Sequence, residues 1–175
     1  MISGLRLTAI PVALGLLAPL SGAFSDRLGA RILTVAGMVM VLASLLLLSH
    51  LLSSGAGHLL ALTGFLALLG AGQGLFTAPN NSAVMGTAPA ADTGEAGGLL
   101  NVMRSLGMSF GISLGSVILS LQLPEIPGRP LLMELPAADV GRGAAISFLA
   151  FGALTLLAAL LSLVRSDHRQ PDSVD

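Results

Sequence analysis

Five runs of apolar residues, each about the length of a membrane span, follow one another with only short polar connectors between them. A helix crosses a bilayer core with about 20 apolar residues. The hydrocarbon offers no partner for exposed backbone groups, so helices are the natural reading of such runs. The predicted spans are roughly 5–24, 32–52, 59–85, 99–121 and 144–164, with a polar tail over 165–175. The third is long, which predicts either a tilt or an early end near Pro79.

Composition agrees with the spans. Charged residues make up 10% of the chain and the mean hydropathy is +0.90, whereas soluble domains carry about 25% charge. Too little polar surface remains to cover a globule in water, so the fold class is all-α integral membrane, with the lipid bilayer as first partner. A net charge of −1 leaves no electrostatic case for nucleic acid. There is no cysteine, no lysine and no His/Cys cluster at metal-ligand spacing. Disulfides, thiolate metal sites and a Gly-x-x-x-x-Gly-Lys phosphate loop are thereby excluded, and no metal or cofactor is expected. Residues 1–23 imitate a secretory signal. Pro11 and Pro19 interrupt the apolar stretch and a charged turn follows at once, so a first span is the better reading.

The connector 25–31 holds Asp26, Arg27 and Arg31 and must lie at a membrane surface. Alternation places 25–31, 86–98 and the tail on one side, with Arg27, Arg31, Arg165 and Arg169 and with Arg104 nearby. Arg6, Arg129 and Arg142 fall on the other. The side richer in arginine is predicted to be cytoplasmic, which puts the N-terminus outside and the C-terminus inside. Asp26 can cap a helix starting near Leu28, where free N–H groups favour a carboxylate. Alternatively the turn is a latch that breaks and reforms as helices rock. Gly29 permits an unusual dihedral or a close backbone approach.

Gly107, Gly111 and Gly115 lie four apart and line one helix face, as in close helix packing; Gly70 and Gly74 repeat the theme. The same letters spell Gly-x-Ser-x-Gly around Ser109, but that hydrolase pattern needs a strand-to-helix elbow and a histidine partner. Packing is the reading taken, and no catalytic residue is assigned. Gln73 sits mid-span and must face protein or a water-filled cavity, as interhelical glue or as part of a substrate path. Asn80 and Asn81, followed by Ser82, can satisfy backbone groups freed by Pro79. Arg104 either snorkels to the cytoplasmic interface or makes a charge pair or anion contact at the mouth of a cavity. Asp92 or Thr93 is placed to cap the fourth span, and the proline-rich loop 122–143 is expected to be irregular.

The stretch Gly22-Ala-Phe-Ser-Asp26-Arg27-Leu-Gly29-Ala30-Arg31 resembles the cytoplasmic signature turn of the major facilitator superfamily; only Ala30 departs, where a basic residue is common. Gly70 to Gly74, Pro79, and then Asn101-Val-Met-Arg104-Ser-Leu-Gly107 resemble the late spans of the fourteen-span drug-efflux carriers of the EmrB/QacA type. The resemblance covers nearly the whole chain and maps its spans onto the last five of the family. It implies the C-terminal part of a carrier in a bacterial-type inner membrane, one that exchanges protons for small amphipathic or cationic solutes by alternating access. It also implies that the proton-relay carboxylates lie in an N-terminal half that transport would need. The rival readings are a non-transporting fragment or interaction module, and an intramembrane hydrolase using Ser109.

Overall fold

A computed structural model of the chain describes residues 6–54, 58–122 and 137–164. The architecture is all-α. The helices are α1 (Ala9–Leu28), α2 (Ala30–Ser53), α3 (Leu59–Met85), α4 (Thr93–Gln122) and α5 (Ala137–Val164), with a 3₁₀ turn at Ala90–Asp92 ahead of α4. There is no strand among the described residues. Helices α2 to α5 are each long and apolar enough to cross a membrane. In α1 the apolar part runs over Ala9–Gly22, about 21 Å at 1.5 Å per residue. Of the proline-rich loop expected to be irregular over 122–143, residues 123–136 lie outside the described residues and 137–143 are already helix; the polar tail 165–175 also lies outside them.

Several boundaries differ from the expected ones, for identifiable reasons. The first helix continues through Asp26 and Arg27 to Leu28, and the chain reverses at Gly29 alone. Gly29 has φ +85° and ψ 139°, a conformation that only glycine adopts without strain. Its N–H donates to the Ser25 carbonyl at 2.9 Å, closing α1. The next helix therefore begins at Ala30 rather than near Leu28, and Gly29, not Asp26, holds the cap position. The third helix does not end at Pro79 but runs six residues past it to Met85. Pro79 is fully buried, so packing against neighbours offsets the lost backbone bond. The fourth and fifth helices start before their apolar runs, with Glu95 and Asp139 in their first turns, where a carboxylate suits the helix dipole.

The core is not built from sequence neighbours. Helix α3 lies against both α1 and α2, while α1 and α2 touch each other little. Helix α5 packs on the far side of α2, and α4 leans mainly on α5. Matching residues in the α1/α3 interface ascend together, so those helices run parallel; α2 runs antiparallel to α3 and α5. Leu33, Leu45, Leu48, Leu66, Ala145 and Ala159 form the buried apolar core. No residue of α4 is buried.

Candidate functional site

Glycines make the interfaces of α3 possible. A Cβ on Gly70 would collide with the backbone of Ile10, and one on Gly74 would sit 3.0 Å from the Leu14 carbonyl and 3.2 Å from the Leu17 Cβ. On nearly the opposite side of the same helix, about 200° around at 100° per residue, Gly72 faces Gly37 of α2. A Cβ on Gly37 would lie 2.7 Å from the Gly72 oxygen, and one on Gly72 would lie 2.8 Å from the Gly37 oxygen. Gly70 and Gly74 thus seat α1, and Gly72 seats α2. With no side chain in the way, backbones approach closely, and dispersion takes the place of a hydrophobic force that lipid cannot supply.

Buried serines then cross-link the interfaces. The Ser44 hydroxyl donates to the Phe65 carbonyl at 2.6 Å, joining α2 to α3, and Ser49 donates to Ala145 at 2.9 Å, joining α2 to α5. The Ser21 hydroxyl lies 2.9 Å from the Ala18 oxygen and 3.1 Å from that of Gly74, sharing one proton between its own helix and α3. Ser147 bonds back to Gly143 at 3.0 Å. Sequence reasoning missed these residues. A serine in an apolar run looks like any other small residue until its neighbour is known, and only its repeated mid-span occurrence could have flagged it.

The signature turn sits at one end of the bundle. Gly22, Asp26 and Arg27 occupy the last two turns of α1, Gly29 is the break, and Arg31 follows in the first turn of α2. At the same end, where α3 finishes, the Arg104 Nη2 of α4 donates to the Asn81 Oδ1 of α3 at 3.3 Å. The guanidinium thus meets a neutral amide on the neighbouring helix, neither of the partners weighed from the sequence. Asn80 and Gln73 are half-buried on α3, and the Gln73 carbonyl accepts from Thr77 Oγ1 at 2.7 Å.

The glycine face of α4 behaves differently from that of α3. A Cβ on Gly107 or Gly111 would meet nothing within 4 Å, and one on Gly115 would touch only the Phe151 ring at 3.3 Å. Asn101, Arg104 and Gly107 are all exposed. A shallow groove of about 520 Å³ lies between α4 and α5, lined by Met108, Gly111, Ile112, Leu119 and Phe151 among others. It is apolar and offers contact area rather than directed bonds. Ser109 lies mid-helix in α4, so the strand-to-helix elbow that a nucleophile of that pattern needs is replaced by continuous helix.

Comparison with known proteins accords with this architecture. A family model described as Major Facilitator Superfamily matches residues 2–174. The chain is 33% identical over 158 residues to "Multidrug resistance protein Stp" of Mycobacterium tuberculosis, covering 80% of this chain and 29% of that protein. It is 36% identical over 118 residues to "Uncharacterized transporter YebQ" of Escherichia coli, covering 67% and 25%. With "Riboflavin transporter RibZ" of Clostridioides difficile it shares 30% identity over 116 residues, 66% of this chain and 25% of that one. The chain spans about a quarter of the length of these curated relatives.

Proposed function

The chain belongs to the major facilitator superfamily, and on that premise we propose that it supplies the C-terminal wall of a proton-coupled efflux carrier for small amphipathic or cationic molecules. The relatives' names speak of multidrug resistance in one case and of riboflavin transport in another. What carries over is the class, small organic solutes, rather than any one compound. Solute would bind near the midplane between this bundle and an N-terminal half, and access would alternate as the two rock.

The observation that carries this reading is the contrast between α3 and α4. The third helix is clasped on two sides through glycines. The fourth is of spanning length and apolar, yet none of its residues is buried. A bundle closed on one side and open on the other is suited to facing a second body across a path. Within it, Gly22, Asp26, Arg27, Gly29 and Arg31 form a latch that steadies one carrier state. Gln73, Asn80, Asn81, Asn101 and Arg104 contribute to the cavity wall or to its inner rim; Gly70 and Gly74 set helix approach within the bundle, Gly115 meets the Phe151 ring, and Gly107 and Gly111 leave the α4 surface open to a second body.

The test is transport by halves. Expressed alone in a drug-sensitive bacterium, the chain is expected to add no ethidium efflux; co-expressed with an N-terminal half of a family carrier, it is expected to restore gradient-dependent efflux. Efflux by the chain alone in reconstituted vesicles would overturn the need for a partner half. Failure of every pairing would overturn the transport reading.

The orientation is tested separately. The N-terminus is assigned to the outside and the tail to the cytoplasm of the inner membrane, on the arginine asymmetry. A phosphatase reporter fused after Ser54 is expected to be active and one fused after Arg169 inactive. The reverse pattern would invert the topology.

A further inference from the structure

Helix α4 is fastened to the bundle at its two ends and left free between them. At one end Gly143 of α5 receives it: a Cβ on Gly143 would lie 2.8 Å from the Leu119 Cδ1 and 3.4 Å from the Gln122 Cβ. One stage along, Gly115 meets the Phe151 ring. Beyond that the two helices part, since a Cβ on Gly111 or Gly107 would meet nothing within 4 Å. The other end turns to α3. There a Cβ on Gly97 would just reach the Met85 Cε at 4.0 Å, and the Arg104 Nη2 donates to the Asn81 Oδ1 at 3.3 Å. Gly97, Arg104, Gly111 and Gly115 fall within about 40° of one another at 100° per residue, so both fastenings lie toward one face of α4. From Arg104 to Gln122 is about 27 Å at 1.5 Å per residue, nearly the depth of a hydrocarbon core of about 30 Å.

The two fastenings differ in kind. The α5 end is held by side chains packed over a glycine, with no bond to break. The α3 end is held by a hydrogen bond that, among the described residues, is the only one from an α4 side chain to another helix. The bonds that join the other helices come from the buried serines Ser21, Ser44 and Ser49. This one runs from an exposed arginine to a half-buried amide. Its partner is neutral. A carboxylate in that place would make an ion pair whose parting strands two charges, whereas an amide releases the guanidinium with the loss of one hydrogen bond. The α3 side is also the least anchored part of its helix. Gly70, Gly72 and Gly74, which seat α3, all precede Pro79. Asn81 follows it, past the missing N–H that leaves the Leu75 carbonyl without its helical donor.

We propose that Arg104 and Asn81 form a releasable catch: bonded, they hold that end of α4 against α3; parted, they let it swing about the contact of α4 with Gly143. Arg104 is then a positioning residue, which sets where α4 stands. The inference rests on the transport reading above for its purpose, a wall that must change place, and on the two unlike fastenings for its mechanism.

The chain contains no cysteine, so paired cysteines report on each fastening in native membranes. Met85→Cys with Gly97→Cys reads the catch, and Leu119→Cys with Gly143→Cys reads the α5 end, each by its rate of joining with a short bifunctional thiol reagent. Asn81→Leu or Arg104→Gln is expected to slow the first reaction about tenfold, the worth of one hydrogen bond to a charged group at the low end of its range, and to leave the second unchanged. The two changes together are expected to do no more than either alone, because they remove one and the same bond. Asn81→Asp is expected to hold the first rate at or above the parent's at low salt, and to lose any gain as salt screens the pair. An unchanged first rate in Asn81→Leu would show that Arg104 only reaches for the interface, and would overturn the catch. An equal fall in both rates would overturn it too, as a general loosening of the bundle. Neither rate depends on efflux: the expected pattern with no efflux from any pairing of halves would sink the transport reading alone, and efflux with an insensitive first rate would sink the catch alone.

Discussion

Replacing Gly70 with valine is expected to abolish the packed bundle while leaving membrane insertion intact. A Cβ at that position would collide with backbone atoms of Ile10, which cannot swing aside as a side-chain tip could. Either α1 moves away from α3 along its length, losing the contacts at Gly74 and the Ser21 bond with it, or α3 bends. Overpacking in a dense core costs about 1–3 kcal/mol. Because the obstacle here is backbone, the expected cost is at or above about 3 kcal/mol. Gly64 on the same helix is the control, since a Cβ there meets nothing within 4 Å. Gly64→Val is expected to stay within about 1 kcal/mol of the parent, as surface changes do. Unfolding in mixed micelles measures both, and equal losses at the two positions would refute the packing account.

The second large effect is expected at Gly29. Here there is no crowding at all: a Cβ would meet nothing within 4 Å. The whole obstacle is conformational, because φ +85° with ψ 139° is closed to L residues carrying a Cβ. Gly29→Ala is expected to cost about 1–3 kcal/mol, and a β-branched residue more. The substituted chain must lengthen the turn by unwinding the end of α1 or the start of α2. The expected sign is faster proteolysis between residues 24 and 32 from the exposed side, together with the loss in stability. Gly22→Ala, seven residues earlier and also in open space but inside α1, is expected to be nearly silent. An undisturbed Gly29→Ala protein would show that the reversal does not depend on this dihedral.

Much of this fold was legible because membrane segments announce themselves by length. The runs at 32–52 and 59–85 fall within two residues of α2 and α3. The reversal at residues 25–31 was legible from charge, and its glycine from the need for an unusual dihedral. The starts of α4 and α5 were not: Thr93 and Ala137 precede the apolar runs by six or more residues, because a helix does not stop where hydropathy does. At Pro79 the sequence left a tilt or an early end open; the helix runs on to Met85, because the backbone cost is met by burial that only the assembled bundle reveals. Helix partners were the least legible. Helix α5 is apolar around nearly its whole circumference, so its sequence has no contrast from which to read a buried face. Gly37 and Gly72 stand on different helices with no local signal linking them.

The wedging of α3 between α1 and α2 has a consequence for biogenesis. During synthesis α1 and α2 emerge before α3, joined by a single residue, and these two have little surface in common. They must wait in the bilayer as a splayed hairpin until α3 arrives and its Gly70, Gly72 and Gly74 take up both partners at once. Consolidation is therefore a three-body event timed by the emergence of Met85, not a pairwise zipping of α1 onto α2. During that interval the backbone at Gly37 lies bare to lipid or to any other helix that drifts by. That interval is when a membrane chaperone, or a mistaken neighbour, has its opportunity.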